Sequence, residues 1–130
     1  MPLNTMLGWH ISVYRQQNDG SSPASFGAAH GTRLAVWQTG LGGLDWIYEL
    51  VEQQKAICLG GNGYPLEFTA MMTHLKSRLL DGPPGANRVW RHDSTDILLP
   101  GWLGKTTMDH EALEARRPDE WVLIQAWDES

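Results

Sequence analysis

Residues 7–15, "LGWHISVYR", alternate strictly, with Leu7, Trp9, Ile11 and Val13 on one side and His10, Ser12 and Tyr14 on the other. That period of two belongs to a strand with one face in a core and one in water. "TRLAVWQ" (32–38) alternates again through Leu34 and Val36 and is predicted to pair with the first strand. "EWVLIQAW" (120–127), apolar apart from Glu120 and Gln125, reads as a well-buried final strand. A chain with such segments must build a sheet and cover at least one of its faces.

The covering elements are helices. After "VWQTGLGG", Asp45 can cap a helix that carries Trp46, Ile47, Leu50 and Val51 on one face and Asp45, Glu49 and Glu52 on the other. "KAICL" (55–59) reads as a short buried strand closed by the turn "GGNGYP". "TAMMTHLKSRLL" (69–80) reads as a second helix, capped by Thr69, packing Met72, Leu75 and Leu79, and stopped by "DGPPG". "DHEALEARR" (109–117) is a short helix capped by Asp109, acidic at its start, basic at its end, and closed by Pro118. Residues 16–31 form a loop of unusual length, the kind that is either functional or mobile. Residues 82–107 show only strand fragments at "RVW" and "DILL". The expected fold is α+β: a single domain over 1–130, with a mixed or antiparallel sheet of about 4–6 strands and two or three helices.

Composition narrows the functions. With 42% apolar and 19% charged residues the chain is an ordinary globule. Its apolar runs are far shorter than a membrane span. "MPLNTMLGWHISVYRQ" has no basic residue before Arg15 and lacks the zones of a secretory signal. Cys58 is the single cysteine, which excludes an internal disulfide. A cytoplasmic setting is expected. Ten basic residues face fifteen acidic ones, net −5, with no polybasic segment. Nucleic acid and anionic membrane are therefore poor partners. A protein with a basic surface is a better one. Seven tryptophans are many for this length, and most are expected at the core margin with each indole N–H bonded. One or two are expected to serve as binding anchors.

Four constellations could carry chemistry. In "TGLGGLDW" the spacing Gly40-x-Gly42 suggests a dinucleotide turn, but Asp45 stands where a third glycine belongs and would repel a pyrophosphate. No Gly-Lys-Ser/Thr follows, so the segment reads as a strand-to-helix turn with glycines at positive φ, and no cofactor is expected. "RHDSTD" (91–96) and "MDHE" (108–111) supply His92, Asp93, Asp96, Asp109, His110 and Glu111. Metal or hydrolytic chemistry would need them to converge, whereas caps and solvated loops explain each separately, so no metal is expected. Cys58, flanked by "AI" and "LG", reads as a buried inert thiol rather than a nucleophile served by His74 or His10. His10 and His30 approach one another only if the long loop folds back. Asp45, Glu49 and Glu52 form an acidic face that can steer a basic partner, with Trp90 and Trp102 as aromatic anchors.

In size, acidity, single cysteine and tryptophan content the whole chain resembles bacterial immunity and antitoxin proteins. The resemblance implies a non-catalytic domain that neutralises a basic toxin or effector, and it assigns no residue. One alternative is a small enzyme or ligand-binding domain centred on His92–Asp96 and Asp109–Glu111. Another is a homodimeric structural protein with tryptophans at its two-fold interface.

Overall fold

A computed structural model describes residues 8–79 and 103–129. Its strands are β1 (Gly8–Gln16), β2 (His30–Gly40), β3 (Ala56–Gly61), β4 (Leu66–Met71), β5 (Leu103–Met108) and β6 (Trp121–Asp128). They form one six-stranded sheet in the order β3-β4-β6-β1-β2-β5, with every neighbouring pair antiparallel. The helices are α1 (Asp45–Glu52), α2 (Met72–Leu79) and α3 (His110–Glu114), and the arrangement is the expected α+β. β1 pairs with β2 as expected, but the alternation read through Leu34 and Val36 does not hold. After an irregular register, Ala35 and Trp37 face the core opposite Val13 and Ile11, and Val36 lies opposite Ser12 on the other face. β6 lies inside the sheet between β4 and β1.

Register gathers the core. Val13 lies opposite Ala35 and Ile124, Ile11 opposite Trp37 and Ala126, and Phe68 opposite Ile124. These side chains share a face, and Trp46, Ile47 and Leu50 of α1 with Met72, Leu75 and Leu79 of α2 cover it. Trp37 and Trp46 stand deep in this layer, 6.1 Å apart, rather than at its margin. Their indole nitrogens find no hydrogen-bond partner among the described residues, contrary to the expectation for tryptophan.

Three local readings need correction. Thr69 does not cap a helix; it lies within β4, and its hydroxyl donates to the Val122 carbonyl at 2.8 Å. α2 begins at Met72, and its first amides are met from afar: Met72 N–H donates to the Glu120 carbonyl at 2.9 Å and Thr73 N–H to that of Pro118 at 2.8 Å. That cap is invisible to a local motif. Asp45 is the first residue of α1 rather than its N-cap, which is Leu44, so its carboxylate acts on the helix dipole without a capping bond. "KAICL" is an edge strand: Ala56 is buried, but Ile57 is 43% exposed and Cys58 is exposed, so the thiol is not enclosed.

The glycine turn also differs in cause. It contains a 3₁₀ turn (Leu41–Leu44), and Gly40 has φ −79°. Positive φ occurs instead at Gly20, Gly27, Gly60, Gly61 and Gly63. What Gly43 provides is room, because a methyl group there would collide with the buried Thr39 side chain. Gly43→Ala is expected to cost about 1–3 kcal/mol through overpacking. Thr39→Ala should return at least about 1 kcal/mol of that loss in the double variant, read by urea unfolding. Simple additivity of the two changes would show that the contact is not the cause.

Candidate functional site

Strand alternation sends Glu67, Thr69, Leu123, Gln125 and Trp127 to the face away from the helices, with His10, Ser12 and Tyr14 beside them. The 17–29 segment roofs the β4 and β6 part of this face. Glu67, only 2% exposed, accepts the Gly27 amide at 2.8 Å and the Gln125 side-chain amide at 2.7 Å, which satisfies a carboxylate that burial would otherwise penalise. Thr69 Oγ1 accepts the Ala24 amide at 3.2 Å. Gln16 Nε2 donates to the carbonyls of Ser22 at 2.8 Å and Trp121 at 3.0 Å. Gly20 adopts φ 72° directly over the Glu120 side chain, and its carbonyl accepts the Trp121 amide at 2.8 Å. Asp19 accepts the Ser21 amide at 3.0 Å, and this bond, with the Ser21 hydroxyl, holds its carboxyl below the ordinary 3.8. The long loop is therefore a strap tied along its length.

Over β1 and β2 the same face is open. It carries a shallow groove of about 400 Å³. One end is walled by Tyr14, whose ring lies 3.9 Å from that of His30 and beside Arg33, its register partner. Ser12 lies in the floor. At the other end stand Asp128 and Glu129, with Glu129 Oε2 3.8 Å from His10 Nδ1. Trp127 forms a side of the groove and is 40% exposed, so the run that reads as a well-buried strand ends in a solvent-facing indole. His10 on β1 and His30 on β2 share this face but lie at opposite ends of the paired strands, opposite Gln38 and Gln16.

Comparison with protein-family models, curated proteins and solved structures gave no match. The site is read from its own geometry.

Asp45, Glu49 and Glu52 are exposed on α1 as expected, but Glu49 is bound by Arg78 at 2.7 Å. α1 packs on the helix side, where Tyr48 meets Phe68 edge-on at 5.5 Å, so this acidic face and the groove look out from opposite sides of the sheet. Burial, and secondarily the nearby Cys58 thiol, raise the Tyr48 phenol above its ordinary 10.0. Trp90, Trp102 and the whole of 92–96 lie outside the described residues. Asp109 caps α3, accepting the Ala112 amide at 3.0 Å, while His110 and Glu111 are exposed. Among the described residues no three His, Cys, Asp or Glu side chains are placed to hold a metal. No helix among them is long and apolar enough to cross a membrane.

Sequence reasoning missed Arg33 and Trp127. The alternation of β1 already marked His10, Ser12 and Tyr14 as a solvent-facing row. Placing Arg33 beside them needed the β1–β2 register, which is irregular between Val13 and Gln16.

Proposed function

We propose that this chain is a non-catalytic protein-binding domain that captures a partner with a basic surface, in the manner of an immunity or antitoxin inhibitor. The observation that carries the reading is the pair of exposed aromatics on the strap side of the sheet, Trp127 at 40% and Phe26 at 55%. They bracket the buried Glu67–Gln125 pair, Phe26 being adjacent to Gly27 and Trp127 being two residues along β6 from Gln125. Rigid aromatics beside a polar groove supply short-range burial, which is how interface hot spots work. The net charge of −5 supports a basic partner, and the single thiol suits a cytoplasmic setting. Because α1 faces the other way, Asp45 and Glu52 act through their field rather than by contact.

The test is affinity capture from the source cell followed by kinetics. Trp127→Ala should raise the off-rate roughly thirtyfold, the equivalent of about 2 kcal/mol. Asp45→Asn with Glu52→Gln should lower the on-rate and flatten its salt dependence. An acidic captured protein, or a Trp127→Ala variant that binds as wild type does, would overturn the reading.

Two-fold self-association is a second reading. The exposure of Ile57 and Tyr48, both 43%, on and beside the β3 edge favours it.

A further inference from the structure

Five arginines lie among the described residues, and four are anchored. Arg15 and Arg116 meet Glu120, Arg78 meets Glu49, and Arg117 meets Asp119 and the Asp19 carbonyl. Arg33 alone has no partner among the described residues, and it lies in the groove wall beside the paired Tyr14 and His30 rings. Its planar guanidinium carries five N–H donors in a fork that can donate two parallel hydrogen bonds to a carboxylate.

At the far end Glu129 meets His10 at 3.8 Å and the Gln38 side-chain amide at 3.5 Å, both at the long limit of such contacts. Its carboxylate keeps capacity for a cation. Tyr14, opposite Arg33, and His10, beside Glu129, are four residues apart on β1, about 13 Å at 3.3 Å per residue. Side chains four residues apart in an extended peptide stand on one face at the same spacing. The groove is shallow and has opposite charges at its two ends, so it matches a strand-like segment better than a compact molecule.

The geometry points to this groove as the seat of an extended dipolar stretch of the protein partner, with an acidic side chain at Arg33 and a basic one four residues away at Glu129. This inference rests on the protein-binding reading and adds to it the chemistry and direction of the bound segment. Opposite charges at the ends set one orientation and reject the reverse.

The probe is the end-capped pentapeptide acetyl-Asp-Ser-Ala-Ser-Lys-amide, titrated into the full chain while the Arg33 Nε–H and Trp127 indole N–H resonances are followed. Saturable binding is expected. Replacing Asp by Asn in the peptide should weaken it roughly tenfold, a charge-assisted hydrogen bond's worth. That discrimination should vanish in Arg33→Gln. Replacing Lys by Gln should weaken binding similarly and lose its effect only in Glu129→Gln. Both variants sit at exposed positions, and thermal melts should show them folded. The inference is overturned if the peptide does not saturate, if its neutral versions bind equally, or if the discrimination survives Arg33→Gln. Should the peptide fail while Trp127→Ala still releases a captured basic protein, the inference falls and the protein-binding reading stands.

Discussion

Phe68→Ala should lower the free energy of unfolding by about 3–5 kcal/mol. Phe68 is fully buried in β4, opposite Ile124 of β6 on one side and Cys58 of β3 on the other, with Tyr48 of α1 against its edge. Truncation removes a ring from the junction of sheet and helix, and the antiparallel ladders on both sides of β4 limit collapse into the space. Domains of this size are stable by about 5–15 kcal/mol, so roughly a fifth or more of the margin would go. The melting temperature should fall by roughly 10–20 °C. Ile57→Ala, on the exposed side of the neighbouring strand, should change stability by less than about 0.5 kcal/mol. Calorimetry of the two variants decides the matter, and similar losses in both would mean that the core does not lie between β4 and α1.

Glu120→Ala should cost about 3 kcal/mol. The Glu120 carboxylate is almost wholly enclosed, 3.1 Å from Arg15 Nε and 3.5 Å from Arg116 Nη1, with the Gly20 bend of the strap over its side chain. Removing it leaves the Arg116 guanidinium, itself 15% exposed, with the Ala112 carbonyl as its remaining bond among those described. Arg15 is more open and recovers water, which places the loss at the lower end of the range for broken buried pairs. Adding Arg116→Met should restore about 1 kcal/mol or more, because the orphaned charge is then gone. Denaturant unfolding of the single and double variants measures this. A loss below about 1 kcal/mol in Glu120→Ala would show that the carboxylate does not hold the strap and the two arginines together.

The strands β1 and β6 were legible in the sequence because the alternation of one and the apolar run of the other report faces that the sheet really buries. For β2 the pairing was legible but the buried face was not, since the irregular register near Arg33 turns Ala35 and Trp37, rather than Val36, to the core. Asp109 was legible because its capping bond is local. Thr69 and Cys58 were misread for one reason: both depend on neighbours far along the chain. A hydroxyl that bonds Val122 and Ala24 makes Thr69 a strand residue, whatever helix pattern follows it. An apolar "AICL" cannot announce that its strand will stand at the edge of the sheet. The acidic face of α1 was legible from helical spacing, whereas its position across the sheet from the groove was not. The groove itself joins residues 10–14, 33 and 127–129, which only the β6-β1-β2 order brings together.

That strand order bears on how the molecule assembles in time. β1 and β2 can meet as a hairpin, and so can β3 and β4, since each pair is adjacent in the chain. Neither hairpin touches the other in the sheet. The sixth strand in chain order slides between them, and Val13 finds Ile124 across more than a hundred residues. Closing such a long loop before any contact rewards it is the slow event in folding. The docking of β6 into the gap between the two hairpins is therefore the expected rate-limiting step. Until then both halves expose an unpaired inner edge, the state in which a nascent or stressed chain is most open to joining its neighbours.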